Sequence, residues 1–93
     1  MKNSGLDYKK RFLITGSAGF IGYFLSKALL EEGCELIGID NVNNYYDVQL
    51  KYARINKLKT FKNFNFIEDD ISNKETIMRT FKKYKPDIVV NLA

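Results

Sequence analysis

The sequence predicts an α/β fold: a parallel sheet of about four strands joined by three crossover helices. Short apolar runs of strand length alternate along the chain with longer stretches whose apolar residues recur every three or four positions. Units of strand, helix and strand pack as parallel strands with right-handed crossovers. The 93 residues suffice for one small domain, predicted at residues 11–93 after a flexible polar tail at residues 1–10.

Four apolar runs predict the strands, at residues 12–14, 36–39, 64–67 and 87–92. Apolar residues at helical spacing predict the buried faces of three helices: Ile21, Leu25, Ala28 and Leu29; Val48, Tyr52, Ile55 and Leu58; Ile77, Phe81 and Tyr84. Gly33 is expected just past the end of the first helix. Ser72 and Glu75 fit a capping box at the start of the third.

Composition excludes several classes of function. With 45% hydrophobic and 28% charged residues, the chain has the composition of a globular protein. It lacks an apolar run of membrane-spanning length and a secretory leader, so we expect a cytoplasmic protein without membrane contacts. The net charge of +4 is spread over predicted helices and loops without a nucleic-acid-binding motif. Solvated helix faces explain that charge better than a nucleic-acid partner does.

Cysteine and histidine content restricts the chemistry further. Cys34 is the single cysteine and the sequence has no histidine, so neither an internal disulfide nor a metal site is expected. Cys34 follows Gly33 at a junction between helix and strand. We interpret it as a small apolar filler rather than a nucleophile.

A glycine-rich segment, Gly-Ser-Ala-Gly-Phe-Ile-Gly at residues 16–22, lies between the first strand and the first helix. Glycine is needed where a backbone turns sharply and where it approaches a diphosphate closely. The helix that follows presents unpaired N–H groups and a partial positive charge to such an anion. The segment predicts a dinucleotide site, although the same glycines would also suit a tight turn without a ligand.

Asp40 ends the second predicted strand, at the position where a dinucleotide-binding fold places an acid. Its carboxylate would accept hydrogen bonds from the hydroxyls of the adenosine ribose and would repel the 2′-phosphate of NADP. No Arg or Lys occurs between Asp40 and Val48 to hold that phosphate. The sequence therefore favours NAD, the alternative being a solvated acid at the end of a strand.

Residues near the ends of the third and fourth strands complete the predicted site. Asp70 would accept from the adenine amino group and Ile71 would pack on its ring, although the Glu68–Asp70 segment also fits a solvated loop. Asn91, Leu92 and Ala93 end the fourth predicted strand, where small residues would let the cofactor pass. Phe20 is ambiguous between packing and cofactor contact.

The sequence resembles the extended short-chain dehydrogenase/reductases, in their NAD-dependent epimerase/dehydratase family. The matching segments are Thr-Gly-Ser-Ala-Gly-Phe-Ile-Gly at 15–22, Gly-Ile-Asp-Asn at 38–41, Asp-Ile at 70–71 and Asn-Leu-Ala at 91–93. The Asp-Asn-Val-Asn-Asn-Tyr-Tyr-Asp stretch at 40–47, with Leu-Lys at 50–51 and Ala-Arg at 53–54 after it, is similar to the UDP-glucuronate 4-epimerase branch. The resemblance implies a Rossmann-type sheet, a tightly bound NAD and these cofactor-binding residues: Gly16, Gly19, Phe20, Ile21, Gly22, Asp40, Asn41, Asn43, Asn44, Asp70, Ile71, Leu92 and Ala93.

The resemblance also implies a parent reaction in which hydride leaves C4 of the sugar and returns to its other face. The chain would then be truncated after the fourth strand, before the catalytic Ser/Thr, the Tyr-x-x-x-Lys pair and the sugar-binding region. Tyr23 and Lys27 have that spacing, but they lie on the first helix and we interpret the match as coincidence. We therefore expect an inactive chain without catalytic residues, a nucleotide-sugar partner only in a full-length parent, and self-association through the fourth strand.

Three alternatives stay open on this evidence. A 4,6-dehydratase or a decarboxylase of the same family would share this N-terminal part. A non-catalytic dinucleotide-binding module would share the glycine segment and the acid. Nucleic-acid binding through the basic faces would be revealed by a steep dependence on salt.

Overall fold

A computed structural model describes residues 10–42 and 48–92, and within them strands and helices alternate as predicted. The elements are β1 (Arg11–Thr15), α1 (Phe20–Glu31), β2 (Glu35–Asp40), α2 (Val48–Leu58), β3 (Phe64–Glu68), α3 (Lys74–Tyr84) and β4 (Ile88–Asn91). The predicted tail at residues 1–10 lies almost wholly outside the described residues.

The four strands form one parallel sheet in the order β3-β2-β1-β4, which confirms the predicted class. In the register of the sheet, Thr15 lies opposite Ile39 on one side and Asn91 on the other. The carboxyl ends of β1, β2 and β4 therefore meet at one edge of the sheet. The strand order reverses at β1, and a crevice at such a reversal is where open α/β sheets bind ligands.

Two apolar layers cover the two faces of the sheet. On one face Phe12 and Ile14 pack with Leu29 of α1 and Leu58 of α2. On the other, a layer containing Leu13 packs against residues of α3. Alternate side chains of a strand point to opposite faces, so β1 contributes to both layers.

The predicted buried face of α1 is wrong at two of its four positions. Ile21 is 66% exposed and Ala28 is also exposed. The buried stripe is instead Gly22, Ser26, Leu29 and Leu30. Small residues at the first two positions let the start of the helix lie close to the glycine loop, and this turns Ile21 outward.

The buried faces of α2 and α3 also differ from the prediction, because each includes polar side chains and leaves one predicted aromatic residue exposed. On α2 the buried residues are Lys51, Ile55 and Leu58, whereas Tyr52 is exposed. On α3 Ile77 and Tyr84 pack against the sheet as expected, but Phe81 is exposed and Thr76 and Thr80 are buried.

The start of α3 is capped by a different residue from the one predicted. Asn73 is the N-cap, and its side-chain oxygen accepts from the main-chain N–H of Thr76 at 3.4 Å. Ser72 instead donates its main-chain N–H to Asp70 Oδ1 at 2.9 Å. The predicted capping box of Ser72 and Glu75 is therefore wrong, and the N-cap lies one residue later in the sequence. Asn is as good an N-cap residue as Ser. Gly33 does follow the end of α1, with a positive φ of 93°.

Candidate functional site

The glycine loop connects β1 to α1 through a tight turn. Gly16 has a φ of 78°, in the left-handed region that favours glycine. Its N–H donates to the carbonyl oxygen of Ile39 at 2.7 Å, and its own carbonyl oxygen accepts from Gly19 N–H at 3.1 Å. The turn is thus bonded to the end of β2 before the chain enters the helix.

The first turn of α1 lies directly against this loop. Gly19 is the N-cap of the helix and offers no side-chain acceptor. A Cβ atom on Gly22 would overlap the carbonyl oxygen of Gly16 and lie 3.0 Å from Ser17 Cα. The main-chain N–H groups at the start of a helix are unpaired within it and attract anions, so this close approach puts the positive end of α1 beside the loop.

The carboxylate of Asp40 is buried at the end of β2 and bonded on both oxygens. Asp40 Oδ2 accepts from Ala18 N–H at 2.9 Å and Oδ1 accepts from Val42 N–H at 2.7 Å. The ammonium of Lys51 lies 3.7 Å from Oδ1. Each carboxylate oxygen has two lone pairs, so both retain capacity for a further donor such as a ribose hydroxyl.

Val42 holds an unusual conformation beside this carboxylate. Its φ is 48°, which is rare for a β-branched residue. The side chain is buried against Ala18 and Ile55, and its N–H donates to Asp40. Packing and this hydrogen bond therefore hold a backbone conformation that costs on the order of 1–3 kcal/mol.

Two cations of α2, on one face of the helix, contact the end of β2 and the glycine loop. Lys51 pairs with Asp40, and Arg54, three residues later, donates to the carbonyl oxygen of Ala18 at 3.1 Å. The guanidinium of Arg54 also lies 5.9 Å from the centre of the Phe20 ring. Arg54 of α2 thus stabilises the position of the glycine loop.

A cavity of about 300 Å³ lies at the carboxyl edge of the sheet. Six residues predicted from the sequence line it: Gly16, Gly19, Asp40, Asn41, Ile71 and Leu92. Four lining residues were not predicted: Thr15, Ile39, Lys51 and Asp69. The volume is at the lower end of ligand-binding pockets and accommodates part of a dinucleotide.

The remaining predicted residues lie elsewhere or outside the described chain. The exposed side chains of Phe20 and Ile21 point to solvent, and Gly22 lies beneath Gly16. None of these three lines the cavity. Asp70 does not line it either, since its exposed carboxylate accepts from Ser72 N–H. Asn43, Asn44 and Ala93 lie outside the described residues.

Asp69, rather than Asp70, lies at the cavity and is tied to α3. Its Oδ2 accepts from the Thr76 hydroxyl at 2.5 Å, its Oδ1 accepts from Asp70 N–H at 2.7 Å, and Asn73 Nδ2 lies 3.2 Å from Oδ2. The Thr76 hydroxyl and the Asp70 N–H, with smaller contributions from Asn73 and Arg79, hold the pKa of the Asp69 carboxyl below its usual 3.8, although burial acts in the opposite direction. The carboxylate is therefore the stable form at neutral pH.

The opposite wall of the cavity is formed where β1 and β4 end together. The Thr15 hydroxyl donates to Asn91 Oδ1 at 2.6 Å and accepts from Leu92 N–H at 3.2 Å. Leu92 N–H also lies 3.0 Å from the Thr15 carbonyl oxygen. These bonds fix Leu92 beside Thr15 at the mouth of the cavity.

Lys51 is the lining residue that sequence reasoning missed most clearly. A signal for it exists, because Lys51 is four residues before Ile55 and seven before Leu58, in step with the buried face of α2. Lysine is seldom buried without a partner. A lysine in register with a core stripe therefore indicates a buried acid nearby, here Asp40.

Residues 10–42 and 48–92 contain neither a membrane-spanning helix nor a metal-binding cluster. No helix among them is long and apolar enough to cross a membrane. No group of three or more His, Cys, Asp or Glu side chains in residues 10–42 and 48–92 could hold a metal ion.

The parallel sheet, the glycine turn after β1 and the buried acid at the end of β2 define a Rossmann-type α/β protein. A family model described as GDP-mannose 4,6 dehydratase matches residues 13–93. The chain belongs to that family.

Curated relatives and solved structures that the chain is similar to include UDP-glucuronate 4-epimerases. A UDP-glucuronate 4-epimerase of Thermodesulfobacterium geofontis is 45% identical over 82 residues, which cover 88% of this chain and 25% of the relative. The crystal structure of a Bacillus cereus UDP-glucuronic acid 4-epimerase with UDP-glucuronic acid and NAD has a TM-score of 0.79 and 34% identity, over 89% of this chain and 26% of that one.

A more distant structure shares the fold alone. The dTDP-glucose 4,6-dehydratase of Bacillus anthracis, crystallised with NAD, has a TM-score of 0.78 at 24% identity, over 90% of this chain and 26% of that one. The chain thus spans about a quarter of the length of the relatives it matches.

Proposed function

We propose that the chain binds NAD and forms the cofactor-binding part of a sugar-nucleotide epimerase, which inverts C4 of UDP-glucuronate. The similarity to UDP-glucuronate 4-epimerases supports the substrate. The cavity at the switch point of the sheet supports the cofactor. The nucleotide sugar would be a partner of a full-length parent, and we expect residues 10–42 and 48–92 to bind the cofactor rather than to supply a catalytic group.

In this proposal residues that line the cavity and residues beside it each bind a different part of the cofactor. The main-chain N–H groups of the glycine loop and of the first turn of α1, which includes Phe20, Ile21 and Gly22, hold the diphosphate. Asn41, with Asn43 and Asn44, continues the adenosine side of the site. Ile71 packs on the adenine ring, and Asp70 accepts from its amino group after rotating away from Ser72.

The position of Asp40 carries the proposal. Its buried carboxylate lies at the end of β2 in the same cavity as Gly16 and Gly19. It keeps free lone pairs for the two ribose hydroxyls, whereas the 2′-phosphate of NADP would bring like charges together. NAD is therefore the expected cofactor.

If bound, NAD would supply the hydride acceptor and donor for the sugar. The described residues of this chain contribute the binding side of that chemistry. Leu92 lines the cavity beside the end of β1, where the dinucleotide would pass toward β4; Ala93 is assigned to the cofactor site by the resemblance alone.

The description of the matching family model supports a second candidate, a nucleotide-sugar 4,6-dehydratase. Both enzymes would use this cofactor site, so NAD binding does not separate them. Incubation of the protein that contains this chain with UDP-glucuronate separates them by product. UDP-galacturonate identifies an epimerase, and inactivity on UDP-glucuronate with formation of a 4-keto-6-deoxy sugar from a hexose nucleotide identifies a dehydratase.

Calorimetry on the folded chain with NAD and with NADP tests the proposed cofactor. We expect NAD to bind and NADP to bind more weakly. Equal or tighter binding of NADP would refute the role of Asp40. A folded chain that shows no heat with NAD at about 1 mM, a free energy near −4 kcal/mol, would refute the cofactor site itself.

A further inference from the structure

A groove of about 580 Å³ lies between α3 and the strand β3, and it shares no lining residue with the cofactor cavity. One wall is Ile67 of β3. The other wall is one side of α3, formed by Thr76, Arg79, Thr80, Lys82, Lys83 and Tyr84. We call this site the α3 groove. Its volume is within the range of ligand-binding pockets.

The deep part of the α3 groove is apolar and internally satisfied. Ile67 and Tyr84 are half-buried and pack against the apolar layer that contains Leu13. The buried hydroxyl of Thr80 donates to the Thr76 carbonyl oxygen, and that of Thr76 donates to the Asp69 carboxylate. These hydroxyls therefore do not require an external acceptor.

The mouth of the α3 groove is positively charged. Its exposed residues are Arg79, Lys82 and Lys83, and no Asp or Glu among residues 10–42 and 48–92 lines the groove. Arg79 already lies 3.7 Å from the Glu75 carboxylate, so the excess charge comes from the two lysines. The Lys83 ammonium lies 5.2 Å from the centre of the Tyr84 ring. An occupant should therefore carry negative charge on an apolar body.

The strand β3 also offers an open edge beside this groove. Asn63 accepts from the N–H of Leu36 at 2.9 Å. Every second residue from Asn63 onward thus directs its main-chain groups toward β2, and Phe66 and Glu68 direct theirs away. No strand in the described part of the chain pairs with that side. The strand contains neither lysine nor proline, which commonly protect such an edge.

We propose that the α3 groove and the open edge of β3 together bind an extended acidic segment of a partner protein. The segment adds to the sheet as a strand, and its main chain bonds to Phe66 and Glu68. Alternate side chains of that strand lie on the same face as Ile67, where acidic groups reach Lys82 and Lys83. This surface is separate from the proposed NAD site, so each proposal can fail without the other.

A nucleic acid fits these observations less well than a peptide does. The lysines could hold its phosphates, but the donors and acceptors at the edge of β3 would stay unused. The Tyr84 ring, on which a base could stack, already lies beside the Lys83 ammonium. Charge, apolar floor and strand edge are used together only by an extended peptide.

Fluorescence anisotropy with dye-labelled peptides tests the charge of the occupant on the native chain. The probe is a peptide of about seven residues, a usual strand length, in which Val and Glu alternate. The matched peptide has Lys in place of Glu. We expect the Glu peptide to bind at least about tenfold more tightly. Equal affinities, a folded chain that does not bind the Glu peptide, or tighter binding of a thymidine oligonucleotide of equal charge would overturn the proposal.

Charge reversal tests the location of the site. Lys82→Glu with Lys83→Glu should weaken binding of the Glu peptide at least about tenfold. Lys10→Glu with Lys57→Glu is the matched control, because both lysines are exposed, neither lines the groove, and the net charge changes equally. We expect a loss below about threefold in the control. Equal losses would show attraction by net charge alone and refute the groove.

Hydrogen exchange of main-chain amides tests the strand edge without any variant of the chain. At saturating Glu peptide the amides of Phe66 and Glu68 should become protected, whereas Asn65 and Ile67, which face β2, should keep their rates. A Glu peptide with one valine replaced by proline should bind at least about fivefold more weakly, because it loses a main-chain donor. Protection of Ile88–Asn91 instead would place the peptide on β4 and refute the proposal.

Discussion

Gly22 lies so close to Gly16 that a Cβ atom on Gly22 would stand 2.9 Å from the Gly16 carbonyl carbon and overlap its oxygen. Alanine at this position must push α1 away from the loop. We expect Gly22→Ala to lower the free energy of unfolding by about 1–3 kcal/mol, measured by urea denaturation. Gly19→Ala is the matched control, since its Cβ would stand 3.3 Å from the same oxygen and should cost clearly less. Equal costs would contradict the close approach.

Gly19→Val, unlike Gly22→Ala, should impair NAD binding more than it impairs folding. Gly19 has a φ of −72°, which valine tolerates, so the fold should survive. The branched side chain would occupy the place of the diphosphate, and NAD binding should be lost. Calorimetry and urea denaturation on the same sample compare the two effects. If NAD affinity stays within a factor of about three, roughly 0.7 kcal/mol, the loop serves only as a turn.

The apolar runs, the spacing of apolar residues and the positions of the glycines made most of the fold predictable from the sequence. The apolar run at 12–14 and the one at 36–39 are strands because a parallel sheet covered on both faces needs continuous apolar segments. Gly16 was predictable because its positive φ is accessible to glycine at little cost. Asp40 was predictable because its place as the last residue of β2 fixes it at the carboxyl edge of the sheet.

Features that depend on packing between elements were not predictable from periodicity. The buried faces of α1 and α3 use Gly22, Ser26 and Thr76, which an apolar pattern does not register. Lys51 is buried because of a charge on another element. Asp69 rather than Asp70 lies at the cavity because its bonds to Thr76 and Asn73 set the loop before α3.

The Asp69–Thr76 pair predicts a specific pH dependence. The Thr76 hydroxyl lowers the pKa of the Asp69 carboxyl in the folded state. A lowered folded pKa contributes stability that is present above the unfolded pKa near 3.8 and is lost as pH falls through the folded pKa. Thr76→Val should raise the pKa of Asp69 toward its usual value, as measured by NMR titration of the side-chain carboxyl.

Thr80→Val is the matched control for that titration. It removes another buried hydroxyl from the same face of α3, one that donates to the Thr76 carbonyl oxygen rather than to Asp69. The pKa of Asp69 should stay where it is in the native chain. A similar rise in both variants would show that the shift comes from the helix as a whole.

The chain should not turn over UDP-glucuronate, even with excess NAD. Removing the hydroxyl proton requires a base at the nicotinamide. The one pair with the Tyr-x-x-x-Lys spacing, Tyr23 and Lys27, lies on α1, where Tyr23 packs against the apolar layer that contains Phe12. NMR of the nucleotide sugar after long incubation measures turnover. Activity that disappears in Tyr23→Phe would overturn this prediction and give Tyr23 a catalytic role.

The purified chain should associate with itself through β4. That strand pairs with β1 along one side, and no strand among residues 10–42 and 48–92 pairs with its other side. Its Val89 is 48% exposed, and its neighbours Ile88 and Leu92 are exposed as well. An apolar strand with an open edge is a template for pairing with another copy, and a lysine on such a strand opposes that pairing.

Light scattering over a concentration series should therefore show association in the native chain and much less in Val89→Lys. Met78→Lys is the control, because Met78 is 70% exposed on α3 and its replacement removes a comparable apolar surface away from the edge. A native chain that stays monomeric at the highest concentration and unfolds cooperatively would refute this prediction, and it would favour a self-sufficient dinucleotide-binding module.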